Sequence, residues 1–217
     1  MIAVGVLTLH HPDGQVFTFD PGSLALAFAV TGPGTSDGPL ARFQTLRRPS
    51  DLERWAADVV GAAGLRATNH DLELAVRLQA AIWSVADALI DRRPVPAVDR
   101  KVLNELAAQP CLVPRLLPGP TREWVAVQGV GSLMSSVARD AIDILGGPRA
   151  ARLKRCEGSR CSLLFVDTSR SGRRRWCSME RCGNRAKVAA HRRRRKEAIH
   201  DDGSLDGNRR WRGVSQP

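Results

Sequence analysis

The chain has 217 residues, of which 43% are hydrophobic, and its 33 Lys and Arg outnumber 22 Asp and Glu to give a formal net charge of +11. This length predicts one or two domains, and the N-terminal region of about 145 residues is long enough for a core of its own. No run in the sequence approaches about 18 apolar residues, and residues 1–11 lack the basic and apolar regions of a secretory signal. We therefore expect a cytoplasmic protein with no membrane partner.

The first 147 residues predict a mostly helical domain of the α+β class with small β-hairpins. Turn signals at Pro12-Asp13-Gly14 and Pro118-Gly119-Pro120 each separate two short segments of strand character, which indicates two hairpins. Apolar residues at helical spacing and capping residues predict the helices between and after them. The expected strands are residues 4–9, 15–19, 114–117 and 123–127, and the expected helices are residues 23–30, 50–60, 69–90, 94–109 and 131–145.

This helical domain presents no convincing catalytic constellation. His10 and His11 lie at a strand end and are best explained as surface histidines. Asp140 and Asp143 lie three residues apart on a predicted helix, which favours a solvated face or a local partner in Arg139 over paired catalytic carboxylates. We therefore expect a protein that is not an enzyme. A small-molecule effector could bind in a domain of this size, but the sequence does not locate its site.

Two glycines and a proline at residues 146–148 indicate a domain boundary. We expect the helical domain to cover residues 1–147, a small cysteine-containing module residues 148–200, and a flexible tail residues 201–217. The positive charge lies in the second unit, since residues 149–196 carry 17 basic and 3 acidic side chains whereas residues 1–148 carry 13 and 15. A charge concentrated in this way attracts polyanions.

Four cysteines of the second unit form two matched pairs, Cys156-x4-Cys161 and Cys177-x4-Cys182, with fifteen residues between the pairs. Four thiolates at two short spacings suit a tetrahedral ion, and we expect one structural zinc per chain. An iron–sulfur cluster is less favoured because its sequences usually carry closer cysteine runs. Disulfides are less favoured because no secretory signal is seen. Cys111 stands alone and is best explained as a buried or incidental thiol.

The residues around the cysteines predict how this module folds. Residues 161–166 are expected to form a strand, and residues 173–176 a second strand that leads back to the second pair. Gly158 is expected to adopt a positive φ in the first turn. A helix over residues 178–198 carries the last ligand, with Val188 as its main apolar anchor. This order suggests a treble-clef-like finger, with a zinc ribbon as the alternative.

Arginine dominates the basic residues, since only four lysines occur in the chain. Guanidinium groups bind phosphate and guanine through two hydrogen bonds, which favours a nucleic-acid partner. Trp176 is best explained as a lid over the metal site rather than a base-stacking platform. His191 is not needed as a metal ligand where four cysteines are present. The expected nucleic-acid contacts are Arg173, Arg174, Arg175, Arg185, Lys187, His191, Arg192, Arg193, Arg194, Arg195 and Lys196.

The sequence around the second cysteine pair resembles the signature of the CGNR zinc-finger family. The match lies in Arg174-Arg-Trp-Cys-Ser-Met-Glu-Arg-Cys-Gly-Asn-Arg-Ala-Lys187 and in the first pair followed by Leu164-Phe165-Val166-Asp167. The N-terminal region is similar to the helical ABATE domain that precedes this finger in bacterial stress-induced transcription regulators. That similarity lies in Phe19-Asp20-x-Gly22-Ser-Leu-Ala-Leu-Ala-Phe28, Asp51-Leu52 and Arg139-Asp140-Ala141. The resemblance implies a zinc finger that follows a helical regulatory domain.

The leading hypothesis is a zinc-dependent DNA-binding transcription regulator of the bacterial cytoplasm. Its N-terminal domain is expected to sense a ligand, to form a homodimer or to contact another protein. An RNA-binding finger is the alternative, because composition does not separate the two nucleic acids. An enzyme with a small-molecule site in the N-terminal domain is the least favoured hypothesis, because no convergent set of titratable groups is seen.

Overall fold

The computed structural model describes residues 2–32, 43–159 and 161–202, with side chains described as far as residue 197. Within these residues, six α-helices and three two-stranded antiparallel sheets confirm the mostly helical α+β class. The strands are β1 (Leu7–His10), β2 (Val16–Phe19), β3 (Val113–Leu116), β4 (Arg122–Val125), β5 (Leu153–Arg155) and β6 (Leu164–Val166). The helices are α1 (Leu24–Ala29), α2 (Pro49–Trp55), α3 (Asn69–Ile90), α4 (Ala97–Ala107), α5 (Val130–Gly146) and α6 (Asn184–Asp202).

Helix α5 lies at the centre of the N-terminal domain. It packs against α1, α3 and α4, and its Leu133, Val137 and Ile144 are fully buried. Burial of each large aliphatic side chain contributes about 1.5–3 kcal/mol. Ile142 was expected on the same face but is 37% exposed, because Ile144 lies closer to the direction of Leu133 and Val137 around the helix. The other helices are therefore ordered around one buried stripe of α5.

Asp140 joins α5 to the start of α1. Its Oδ2 accepts a hydrogen bond from the backbone N–H of Ala25 at 2.8 Å, and the residue is buried. Burial raises the pKa of this carboxyl above its ordinary value. The expectation of a solvated residue with Arg139 as partner was wrong, because Arg139 donates to backbone carbonyls near the end of α4. The nearest cation is Arg149, whose Nη2 lies 3.5 Å from Asp140 Oδ1.

The starts of the helices follow local capping signals. Helix α3 begins after Thr68, whose side chain accepts from the N–H of Asp71 at 3.2 Å, while Asp71 accepts from the N–H of Thr68 at 2.8 Å. Helix α2 begins at Pro49, one residue before the expected start at residue 50. The Asp51 carboxylate accepts from the backbone N–H of the residue before Pro49. Both helices thus start where an aspartate satisfies a free backbone donor.

Strand β6 pairs with β5, in the register Leu153↔Val166, and not with residues 173–176. The expected partner strand was therefore wrong. Residues 173–176 form a loop because their backbone groups have other partners. The N–H of Arg174 donates to Asp167 Oδ2 at 2.9 Å, and the carbonyl of Arg175 accepts from the N–H of Glu157 at 3.0 Å. The β5–β6 hairpin thus encloses the first cysteine pair.

The cysteine-containing module lies directly against the N-terminal domain. The N–H of Val166 donates to the carbonyl of Pro21 at 3.0 Å. Gly22 has φ +73°, and a Cβ there would lie 2.6 Å from the carbonyl oxygen of Val166. Farther along, Arg155 of β5 donates to Asp91, the residue directly after α3, at 3.0 Å. The two parts are therefore held together by backbone contacts and ion pairs.

The last helix begins with a π-helical turn, Met179–Gly183, and continues as α6 through Asp202. It extends beyond residue 198, the expected end. Residues 203–217, most of the predicted flexible tail, lie outside the described residues. In the part of the chain that the structure describes, no helix has both the length and the apolar character needed to cross a membrane.

Candidate metal centre and nucleic-acid interface

The four predicted ligand cysteines meet at one point. Cys156 follows β5, Cys161 precedes β6, Cys177 ends the loop that follows β6, and Cys182 lies in the turn Met179–Gly183. The Sγ atoms of all four lie within 4.8 Å of one another. Three of the residues are buried, whereas Cys161 is half-buried. The connection between β5 and β6, the loop after β6 and the start of the last helix therefore bring the four thiols into a single cluster.

The separations between the sulfur atoms fit a tetrahedral metal ion. The Sγ of Cys177 lies 3.7 Å from that of Cys161 and 3.6 Å from that of Cys182. Zn–S bonds are about 2.3 Å long, which gives a regular tetrahedron sulfur–sulfur edges of about 3.8 Å. A disulfide requires a separation of about 2.05 Å, so these thiols are free. The donor set suits one ion held by four thiolates.

Two backbone N–H groups donate to the sulfur of Cys156. The N–H of Cys177 lies 3.2 Å from this Sγ, and the N–H of Gly158 lies 3.4 Å from it. Such N–H···S bonds orient a thiolate towards a metal. Cys156 is therefore the ligand whose sulfur the backbone orients most strongly among the described contacts.

Gly158 provides the space that the first cysteine pair needs. A Cβ at this position would lie 2.7 Å from the Sγ of Cys182 and 3.2 Å from the Cβ of Cys161. Gly158 does not have a positive φ, so the expectation of a left-handed conformation was wrong. The requirement for glycine here is steric, because the backbone of the turn passes directly against two ligands.

Asp167 shapes the loop that delivers Cys177 to the centre. Its fully buried carboxylate accepts from Lys154 Nζ at 2.8 Å and from the N–H groups of Arg174 and Ser169 at 2.9 and 3.0 Å. Burial acts to raise the pKa of Asp167, but these hydrogen bonds outweigh burial and hold the pKa below its usual range. The ionised carboxylate therefore fixes both ends of the loop.

The metal centre shares a hydrophobic cluster with the first hairpin. Phe17 and Phe19 of β2 and Phe165 of β6 pack in one buried cluster that also contains three of the four cysteines. Leu164 and Val166, the neighbours of Phe165, belong instead to the core of the N-terminal domain. Because successive side chains of a strand alternate between its faces, β6 connects the metal centre to that core.

Arg181 is a functional-site residue that the sequence analysis missed. It lies next to Cys182, is only 4% exposed, and donates to both carboxylate oxygens of Asp13 at 3.0 and 3.2 Å. It also donates to Gln15 Oε1 at 2.7 Å. The Arg181 guanidinium holds the pKa of Asp13 well below its usual range. Asp13 was explained by its turn alone, and no local sequence signal indicates that it has a distant partner.

The Cys-Gly-Asn-Arg motif after Arg181 serves the packing of the helix start. A Cβ on Gly183 would lie 3.1 Å from Cδ1 of Trp176. Asn184 donates to a carbonyl of the preceding turn at 3.3 Å. Arg185 Nη2 donates to Asp13 Oδ2 at 2.8 Å. Arg185, which was predicted to contact nucleic acid, is exposed and also holds the start of α6 to the first hairpin.

Arg174 was also predicted to contact nucleic acid, but the structure places it in a half-buried position against the protein. Its Nη1 donates to the carbonyl of Asp20 at 2.8 Å, and its Nη2 donates to the carbonyl of Cys177 at 2.6 Å. The guanidinium also lies 4.1 Å from the ring centre of Phe165. These contacts engage the whole guanidinium, so Arg174 is a structural residue and is not free to bind phosphate.

The two neighbours of Arg174 are exposed. Arg175 donates to Glu157 at 2.7 Å and lies 4.2 Å from the ring centre of Trp176. Because Arg175 covers one face of this ring and Trp176 packs against the cysteine cluster, the geometry favours the lid over the base-stacking platform. Arg173 has no ion-pair partner among the described residues.

Helix α6 has no buried face within its described side chains. Over residues 184–197, only Ala186 and Ala190 are half-buried, and the other residues are exposed. Val188 was expected to anchor the helix but is 49% exposed. The expectation was wrong because a residue two positions after Ala186 lies about 200° around the helix from it. The helix therefore leaves the metal centre as a projecting arm.

The basic side chains of α6 beyond Arg185 are exposed, and none has an ion-pair partner among the side chains that the structure describes. Arg193 borders open clefts on both sides of the helix. Like charges three and four positions apart repel one another on a helix. The predicted contacts whose side chains are exposed are Arg173, Arg175, Arg185, Lys187, His191, Arg192, Arg193, Arg194, Arg195 and Lys196.

A separate cleft of about 430 Å³ opens in the N-terminal domain between α5 and the β3–β4 hairpin. Its walls include Leu24, Leu112, Trp124, Ser136 and Arg139. Small-molecule sites commonly have volumes of about 300–1,000 Å³ and combine apolar walls with a few polar groups. The sequence analysis allowed for such a site without locating it.

Two family models match the chain. One, described as "CGNR zinc finger", matches residues 152–195, and the ABATE model, described as "Putative stress-induced transcription regulator", matches residues 22–148. Comparison with curated proteins gives no match. The first match spans the four clustered cysteines, and the second spans α1 to α5. The chain therefore belongs to the ABATE family and carries a CGNR zinc finger after the ABATE domain.

Proposed function

We propose that this protein is a zinc-dependent transcription regulator of the bacterial cytoplasm that binds DNA through helix α6. The observation that carries the proposal is the exposure of α6, whose described side chains form no buried face and include a run of cations without ion-pair partners among the described residues. Ordinary surface helices bury an apolar stripe. A projecting basic helix has the shape and charge to lie along a polyanion.

Zinc is the proposed metal, with one ion per chain. Four thiolates complete a tetrahedral shell, so no coordination position remains for a substrate, which is the property of structural rather than catalytic zinc. The ion stabilises a module whose apolar residues are few and are shared with the N-terminal domain. The reducing conditions of the cytoplasm keep such thiols available to a metal.

DNA is favoured over RNA on geometric grounds. An α-helix with its side chains is about 10–12 Å across, and the major groove of B-form DNA, about 12 Å wide, accepts it. The major groove of A-form RNA is too narrow and deep for side chains to read. Phosphate contacts from Lys187 and residues 192–196 would supply affinity, with Arg173 as a second point of contact on the loop.

The N-terminal domain is proposed to regulate this binding, and we propose no catalytic reaction. The cleft between α5 and the β3–β4 hairpin is the proposed effector site. Asp13 of the first hairpin contacts Arg181 and Arg185 at the start of the last helix. A change in the N-terminal domain that moves this hairpin would therefore change the orientation of α6.

The test uses the full chain, since the finger shares its core with the first hairpin. Metal content is measured by mass spectrometry, and binding of a duplex DNA and of a structured RNA of equal charge is measured at one salt concentration. The proposal predicts one zinc per chain and tighter binding of DNA. Tighter binding of RNA, or no binding of either nucleic acid by zinc-loaded protein, would contradict it.

A further inference from the structure

The four metal ligands differ in their access to solvent. Cys156, Cys177 and Cys182 are between 2% and 4% exposed, whereas Cys161 is only half-buried. Cys161 borders a cleft of about 880 Å³ that opens between the finger and the first hairpin. Cys182 also borders this cleft but is covered by its neighbours. Of the four ligands, Cys161 is therefore the residue most accessible to a small reagent that enters the cleft.

The surroundings of Cys161 leave its sulfur reactive. Cys156 receives two backbone N–H bonds, and hydrogen bonds of this kind draw electron density from a thiolate. No described residue donates such a backbone bond to the sulfur of Cys161. Metal-bound thiolates that are exposed and lack these bonds are the better nucleophiles.

The cleft also carries an excess of positive charge. Four guanidinium groups line it, against the two carboxylates of Asp13 and Glu157. A surplus of cations stabilises the hydroxide that leaves when a thiolate attacks a peroxide. The lining arginines are Arg175, Arg181, Arg185 and Arg193.

A second cysteine lies in position to complete the reaction. The Sγ of Cys177 is 3.7 Å from that of Cys161, so closure to a disulfide of about 2.05 Å needs a movement of less than about 2 Å. Oxidation sensors of this kind combine an accessible thiolate with a resolving cysteine nearby.

We propose that Cys161 is an oxidation site at which hydrogen peroxide releases the metal from the finger. The inference rests on the proposed zinc. In the first step the Cys161 sulfur attacks one peroxide oxygen, an S–O bond forms, the O–O bond breaks and hydroxide leaves. In the second step the Cys177 thiolate attacks the oxidised sulfur, an S–S bond forms and a second hydroxide leaves. Two thiolates lose two electrons, the peroxide gains them, and two ligands no longer suffice to hold zinc.

Loss of the metal reaches the nucleic-acid-binding helix directly. Cys182 lies in the turn that begins the last helix, and Cys177 and Cys182 pack in the same cluster as Phe17 of the first hairpin. A disulfide between Cys161 and Cys177 leaves the start of α6 without its metal contact. Oxidised protein should therefore lose nucleic-acid binding, and a thiol reductant with added zinc should restore it.

The first experiment maps the oxidised cysteine in zinc-loaded full chain carrying Cys111→Ser, which removes the thiol outside the centre. Hydrogen peroxide is added in the presence of a sulfenic-acid trap, zinc release is followed with a chromogenic chelator, and peptides are identified by mass spectrometry. The inference predicts that the trap labels Cys161 first and that, without the trap, one zinc leaves for each Cys161–Cys177 disulfide. Equal labelling of all four cysteines, or release without this disulfide, would overturn it.

A second experiment compares two ligand exchanges that keep a zinc-binding side chain. Cys161→His should retain zinc and slow its release by peroxide, whereas Cys156→His should leave Cys161 reactive and release zinc at the original rate. Equal slowing by both variants would overturn the inference. If either variant fails to bind zinc, the proposal is decided by the first experiment, which maps the oxidised cysteines in a protein that keeps all four cysteine ligands. Absence of zinc before oxidation would overturn the zinc assignment and this inference together, whereas loaded protein labelled at another cysteine would overturn this inference alone.

Discussion

Asp13 and Arg181 lie 168 residues apart and form a two-point ion pair, with N–O separations of 3.0 and 3.2 Å. Asp13 belongs to the turn of the first hairpin, and Arg181 belongs to the turn that carries a metal ligand. This pair fixes the finger against the N-terminal domain beside the base of α6. The orientation of the proposed DNA-binding helix is therefore set by a residue at the other end of the chain.

Replacement of Asp13 should destabilise the junction. In Asp13→Asn the guanidinium of Arg181, which is 4% exposed, loses its ionic partner and remains buried, and an unpaired buried charge is costly. We expect a lower urea midpoint and faster hydrogen exchange in β1, β2 and the turn Met179–Gly183. Asp58→Asn is the control, since Asp58 is exposed. Equal midpoints for the two variants would contradict the role assigned to the pair.

Substitution of Gly158 should weaken metal binding. In Gly158→Ala the new Cβ meets the sulfur of Cys182 at 2.7 Å, and overpacking of this kind typically costs about 1–3 kcal/mol. The matched control is Gly131→Ala in α5, where the nearest atom to the new Cβ lies at 3.7 Å and alanine favours the helix. Competition with a chelator measures the zinc affinity of both. An unchanged zinc affinity in Gly158→Ala would contradict the steric role assigned to Gly158.

Loss of one ligand should unfold the finger and loosen the first hairpin. In Cys177→Ser we expect zinc to be lost and hydrogen exchange to accelerate in β5, β6, β1 and β2, because Phe17 and Phe19 share a cluster with the ligands. Helices α3 to α5 have their own core and should keep their protection. Zinc retained at one ion per chain in this variant would contradict the four-cysteine site.

Asp140 should make the stability of the N-terminal domain depend on pH in the acid range. Burial raises its pKa in the folded chain above the ordinary 3.8, so the folded state binds this proton more tightly than the unfolded state does. Its contribution is therefore most favourable below pH 3.8 and is lost as the pH rises through the raised pKa. As the pH rises from 3.8 to the raised pKa, the free energy of unfolding of the wild type should fall relative to that of Asp140→Asn. Above the raised pKa the difference should become constant. A difference that stays constant from pH 4 to 7 would contradict the assignment.

The sequence predicted those features that local signals specify. The first hairpin follows from Pro12-Asp13-Gly14, α3 follows from its spacing and its cap, and the metal centre follows from two equal cysteine spacings. The partner of β6 and the burial of Arg174 were not predicted, because they depend on contacts between residues distant in the chain. A run of three arginines has the same composition whether its members face solvent or protein, and only the fold separates Arg174 from Arg173.

The same limit explains the role of Gly158 and the exposure of Val188. Glycine in a tight turn suggests a positive φ, but here the sulfur of Cys182, twenty-four positions later in the chain, demands the missing side chain. Val188 is apolar and lies in a helix, which suggests burial, yet among the described side chains of this helix only those of Ala186 and Ala190 are half-buried. Propensity and composition are properties of single residues. The steric requirement at Gly158 and the exposure of Val188 depend instead on which surfaces the fold brings into contact.

The most direct test of the account is the salt dependence of duplex DNA binding by zinc-loaded protein in which residues 192–195 are replaced by alanine. Each phosphate contact contributes about 0.9 to the slope of log affinity against log salt, so loss of four contacts should flatten the slope by about 3.6. The control removes an equal charge from the N-terminal domain, through alanine at Arg66, Arg77, Arg100 and Lys101, and should leave the slope nearly unchanged. An α6 variant that keeps the wild-type slope would exclude this helix from the interface and contradict the proposed function.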